Sequence, residues 1–144
     1  MGRNANNKTK LEIDITFANE TPTLAEFDGI ETLDWAVEEE VQTGYFISDG
    51  GAGYSDVTAG RLTITLTGKR VYGDPAQDYI VGLTGQWGAN RKNKLKITLP
   101  DESYFEIPCS IEIASIAGGD ASDLSAFETI LHSDGAWTYT PASY

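Results

Sequence analysis

The sequence predicts a mainly β chain: a β-sandwich or barrel-like sheet with one flanking α-helix. Two observations predict it. Apolar and polar residues alternate in stretch after stretch, the period of half-buried strands. Only one stretch carries a strong helix start, Asp74-Pro75-Ala76-Gln77. The 144 residues, 40% of them apolar, suffice for one core. We therefore expect a single domain over 1–144, with a flexible N-terminal arm at 1–8 and a long loop at 42–60.

The arm, Met1 to Lys8, is polar and has no period. Leu11, Ile13, Ile15 and Phe17 then alternate with Glu12, Asp14 and Thr16 as a first strand. Ala18 to Glu31 holds Pro22 and Gly29 and reads as a loop. Leu33, Trp35 and Val37 alternate with Asp34, Ala36 and Glu38, a strand that runs into Glu39-Glu40-Val41. Gln42 to Gly60 sets Tyr45, Phe46 and Tyr54 among five glycines, the expected loop. A loop of that length usually has a job, and its aromatics suit docking on a partner.

Arg61 to Leu83 is the organising stretch. Leu62, Ile64 and Leu66 alternate with threonines, and the period slips at Gly68, which signals a bulge or bend. Asp74 accepts hydrogen bonds from the free N–H groups of the first helical turn. Pro75 has no N–H to leave unpaired, and Gln77 is placed to reach back to the cap. Ala76, Tyr79, Ile80 and Leu83 share one helical face, and Gly82 and Gly85 mark the stop.

Gly88 to Asn93 reads as a turn. Leu95, Ile97 and Leu99 form a strand, Pro100 to Ser103 a turn, and Phe105 to Ile113 a long strand. Pro108 in that strand implies an edge or a bulge, since proline cannot donate to a ladder. Cys109 shares the parity of Phe105, Ile107, Ile111 and Ile113, so it reads as a small buried apolar residue. Phe127 to Tyr139 reads as a hairpin with Ser133-Asp134-Gly135 at its tip. The alternative there is a short helix from Ala121 to Leu131 capped by Asp123.

Charge excludes several functions. Ten basic and 22 acidic residues leave a net charge of −12, which disfavours nucleic-acid wrapping and anionic membrane surfaces. The first ten residues lack a signal-peptide core, so cytosolic synthesis is expected. No catalytic, cofactor-binding or metal-binding constellation stands out. The single His132 beside Ser133 and Asp134 is no triad, whose members must converge in space. Gly50-Gly51-Ala52-Gly53 lacks the Lys-Ser or Lys-Thr of a phosphate loop. Asp120 and Asp123 lack the remaining calcium-loop ligands. The non-core strand faces carry Glu12, Asp14, Asp34, Glu38, Glu106 and Glu112, so a sheet with one apolar and one acidic face is expected. An acidic face would repel DNA and let it slide; plain solubility is the competing reading.

Three segments, Leu66–Leu83, Cys109–Glu128 and Leu131–Ala142, resemble the major tail tube protein of long-tailed (siphovirus-type) bacteriophages of Gram-positive hosts. Lys69-Arg70 and the Gly73-Asp74 step are the firmest part of that resemblance. It implies a virion structural protein, made in the host cytoplasm, that forms hexameric rings stacked into the conduit for DNA ejection. It implies contacts with further copies of itself and with the tape measure, tail terminator and distal tail proteins, and passage of DNA without specific binding. It implies no membrane, cofactor or enzymatic activity. The lumen-facing candidates are the six acidic residues above. The subunit-contact candidates are Tyr45, Phe46, Tyr54, Lys69, Arg70, Arg91, Lys92, Lys94 and Lys96. The alternative class is a small β-sandwich module that binds a carbohydrate or a protein through Trp35, Trp87 or Trp137; the core parity of Trp35 speaks against its share in that role.

Overall fold

A computed structural model describes residue 5, residues 8–16 and residues 21–142. Most of the expected arm and Phe17 lie outside the described residues. Strands β1 (Lys10–Asp14), β2 (Leu24–Glu26), β3 (Ile30–Tyr45) and β4 (Gly53–Lys69) precede the helix α1 (Pro75–Gly82). Strands β5 (Lys92–Thr98), β6 (Tyr104–Ser115), β7 (Ala126–Ser133) and β8 (Thr138–Thr140) follow it. All pairings are antiparallel, in the order β2-β1-β5-β6-β7-β4-β3, with β8 beside the start of β6.

One face of this open sheet is the core face. Leu62, Ile64 and Leu66 of β4 are fully buried there, with Ile13, Leu95, Ile97, Ile107, Phe127 and Leu131. The sheet curls over them. Trp35 of β3 and Phe105 of β6 are separated in strand order by β4 and β7, yet their rings lie 4.9 Å apart. Helix α1 closes the core with Ala76, Ile80 and Leu83, the face expected from its spacing. Cys109 is buried among these residues, and loss of solvent pushes its thiol up to about 12.

Four expectations change. The loop predicted over Ala18–Glu31 contains β2, which pairs with β1 through Glu12–Glu26 to Asp14–Leu24. The loop predicted over Gln42–Gly60 is the outer half of a two-stranded ribbon. β3 and β4 stay paired out to Tyr45–Gly53, and only residues 46–52 form the tip. Its glycines are compatible with strand there for a packing reason. A Cβ on Gly44 would lie 2.6 Å from the Tyr54 hydroxyl, so the Tyr54 ring covers bare backbone. The hairpin predicted over Phe127–Tyr139 is not one. β7 and β8 do not pair with each other but lie in line along one side of β6, and 134–137 bridge the break. The alternative helix from Ala121 to Leu131 is absent, since Ala126–Ser133 is strand.

That break resolves Pro108. Its carbonyl accepts the Asp134 N–H at 2.8 Å, so its missing donor faces the gap between β7 and β8, where no ladder bond is required. Gly68 marks a bulge as expected, but the extra residue is on its partner, because β3 skips Glu31 between the Ile30–Gly68 and Thr32–Thr67 pairs. A Cβ on Gly68 would overlap the Gly29 carbonyl oxygen, so the close approach of two backbones is what requires glycine.

Candidate functional site

Two surfaces offer themselves for function: the sheet face opposite the core, and the ribbon. The polar face is built by strand alternation alone. Across the sheet run the register rows Glu26–Glu12–Lys96–Glu106–Thr138 and Asp34–Thr65–Ile130–Glu112, with Ala36–Thr63–His132–Ser110–Lys92 beside them. The face expected to be acidic is therefore mixed in sign, because the lysines of β5 share its parity. Lys94 pairs with Glu106 at 3.6 Å, and His132 contacts Glu112 at 2.7 Å. Lys10 reaches Glu12 at 3.9 Å. Asp34 and Glu38 are exposed, Glu38 opposite Arg61.

Asp14 does not belong to this surface. It is buried, and its Oδ1 accepts from the Thr16 and Thr23 backbone N–H groups at 2.9 and 3.0 Å. The alternation that placed it outward ends with the strand, where a carboxylate serves the turn.

The basic residues expected to meet a neighbouring subunit are mostly engaged within their own chain. Arg70 binds Asp78 at 2.7 Å and also donates to the Val71 carbonyl and to Gln77. Arg91 donates to the Gln86 and Ile111 carbonyls and lies over Trp87. Lys92 bridges Ser110 and Asp134, and Lys96 stands over the Tyr104 ring at 4.5 Å. Lys69 is half-buried at the end of β4. Of the three tryptophans, Trp137 packs against the core, Trp35 is 39% exposed despite its core parity and rests on Phe105, and Trp87 is exposed beside Arg91.

The ribbon is different. β3 is an edge strand of 16 residues, and most of it is exposed. Val41, Phe46 and Val57 are more than half exposed, and Tyr45 is 77% exposed. Phe46 and Tyr54 stack at 4.7 Å near the tip, which makes a stiff aromatic end. On the opposite face of the ribbon, Tyr45, Val41 and Val57 lead toward the root to Val37, Trp35, Phe105 and Tyr139. Sequence reasoning picked out Tyr45, Phe46 and Tyr54 but missed the valines: Val57 fell in the stretch read as loop, and Val41 at the end of the strand before it. Val41 and Val57 were the available signal, each a β-branched residue among polar ones. The described residues hold no group of three or more potential metal ligands, and no helix among them is long and apolar enough to cross a membrane.

No protein-family model and no curated protein matches this sequence. Solved structures do. A chain in the tail of an empty gene transfer agent particle, refined helically with C6 symmetry, superposes with a TM-score of 0.68. The two are 16% identical, over 96% of this chain and 100% of that one. A chain in the virion of a native gene transfer agent particle gives a TM-score of 0.70 at 14% identity, with the same coverage. This chain has their fold. At such identity the likeness speaks of architecture, and the resemblance to Gram-positive tail tubes gains from it the fold alone.

Proposed function

We propose that this protein is a structural subunit of a tail tube, which assembles with copies of itself into hexameric rings that stack into a conduit for DNA. The ribbon carries the reading. A long edge strand leaves a row of N–H and C=O groups unpaired, and here it also exposes Val41, Tyr45, Phe46 and Val57. An isolated soluble chain gains nothing from such a surface and risks aggregation by it. A subunit that meets its copies through it gains both ladder bonds and apolar burial. The shared fold with chains of gene transfer agent particles supports the same reading.

In this arrangement Tyr45, Phe46 and Tyr54 contact a neighbouring copy. The mixed polar face, which carries no helix, lines the conduit with Glu12, Asp34, Glu38, Glu106 and Glu112. Interleaved lysines weaken its repulsion of DNA but leave no continuous cationic track to hold it. Terminal rings of the tube meet other tail proteins.

Negative-stain microscopy of the concentrated protein tests the proposal. Rings or tubes are expected, and a chain in which residues 41–58, beyond the Glu40–Ala59 pair, are replaced by Asn-Gly should stay folded and monomeric. A native chain that remains monomeric at high concentration would sink the reading, as would normal tubes from the tipless chain.

A further inference from the structure

The ribbon raises a question of register. On the core side Leu33, Trp35 and Val37 face Leu66, Ile64 and Leu62; on the other side Thr32, Asp34 and Ala36 face Thr67, Thr65 and Thr63. A slip of two residues that set Ala36 against Thr65 would keep every side chain on its face and replace most partners by similar ones, changing in kind only at the root, where Leu33 would meet Gly68 and Thr32 would meet Lys69. The repeating pattern in β4 therefore does not choose the register over this length.

We infer that Gln77 is the positioning residue that chooses it. Its side chain is fully buried at the root of the ribbon. Nε2 donates to the Asp28 carbonyl at 2.6 Å and to the Lys69 carbonyl at 3.0 Å. Oε1 accepts from the Val71 N–H at 2.8 Å and from Arg70 at 3.2 Å. Two donors and two acceptors are all that one amide has. Asp28 lies just before β3 and Lys69 ends β4, so a single nitrogen holds both strands of the ribbon at their origin. A two-residue slip moves those carbonyls apart by about 7 Å along the strand, beyond the reach of one nitrogen. The Lys69 N–H bond to the Gly29 carbonyl at 2.8 Å and the Gly29–Gly68 contact belong to the same knot. Helix α1 thus serves the ribbon as well as the core: its capped first turn holds Gln77 in place. The register decides which side chains the ribbon presents to a second copy, a consequence that rests on the tail-tube reading; the register itself does not.

Disulfide trapping in dilute, unassembled protein tests this. Ala36→Cys with Thr63→Cys reports the native register, and Ala36→Cys with Thr65→Cys reports the slipped one, because diagonal neighbours sit too far apart to bridge. In an otherwise native chain only the first pair should close. Gln77→Met keeps the length of the side chain and removes its hydrogen bonds; it should raise the yield of the second pair at least tenfold. Ile80→Val trims the core-facing side of the same helix by one methyl group while leaving the Gln77 amide intact, and should leave both yields unchanged. The inference is overturned if Gln77→Met leaves the ratio of the two products as it was, or if Ile80→Val shifts it equally. Hydrogen exchange on the unaltered chain gives an independent reading should Gln77→Met fail to fold. The Lys69 and Val71 amides are expected to exchange at least ten times more slowly than the amide of Tyr45 near the tip. Equal rates would refute the knot.

Discussion

Replacing Asp74 by alanine removes two hydrogen bonds with one atom. Asp74 Oδ2 accepts the Gln77 N–H at 3.1 Å, which caps α1, and the Asp28 N–H at 3.3 Å, which ties the turn before β3. Loss of an N-cap acceptor costs about 1 kcal/mol. The second bond is long and solvent-exposed, so water replaces much of it, and it adds at most about 0.5 kcal/mol. The expected loss is therefore about 1–1.5 kcal/mol. At about 2.1 cal/mol/K per residue the entropy of unfolding is about 0.3 kcal/mol/K, so Tm should fall by about 3–5 °C. Urea titration and calorimetry on dilute protein, where self-association cannot add stability, measure both quantities. Asp74→Asn keeps a capping oxygen and should lose only a few tenths of a kcal/mol, roughly neutral on the capping scale. An unchanged midpoint for the alanine variant, or equal losses for alanine and asparagine, would refute the capping argument.

Phe127 is the largest fully buried side chain, and Phe127→Ala should cost about 3–5 kcal/mol in urea titration through the cavity it leaves. The Cys109 thiol, raised by burial from 9.0 to about 12, should resist a thiol reagent in the native chain and react only on unfolding. Because the unfolded thiol ionises first, its contribution to stability is fully present below pH 9 and is lost as pH rises from 9 toward 12; Cys109→Ala should flatten that decline. With a net charge of −12 per chain, moderate salt should speed tube formation in light-scattering assays, since the Debye length falls to about 8 Å at physiological ionic strength. A rate that falls with salt would mean that attraction between opposite charges, and not apolar burial, drives assembly.

The order of the strands' apolar faces, the helix and its cap were determined by the sequence alone. Each rests on contacts between near neighbours in the chain. The alternation of Leu62, Ile64 and Leu66 needs no partner to be read, and Asp74 finds its acceptor role three residues away at Gln77. The glycine at 68 signalled an irregularity for the same local reason. What it could not show was the extra residue's place in β3, because that depends on how two backbones meet.

Tertiary structure decided the rest. Exposed β-branched residues in a glycine-rich segment become strand only if a partner strand runs beside them, so Gln42–Gly60 reads as loop until β3 and β4 are paired. Neither β7 nor β8 carries a mark saying that it will pair with β6 and not with the other. The sign of the polar face was equally hidden. Glu12 and Glu106 each alternate correctly on their own strands, but only the sheet order sets Lys96 between them. Gln77 shows the limit most plainly. Local spacing offered it to the helix cap, whereas its four hydrogen bonds run to Asp28, Lys69, Arg70 and Val71, and the nearest way to satisfy a buried amide was set by what the fold brought to it.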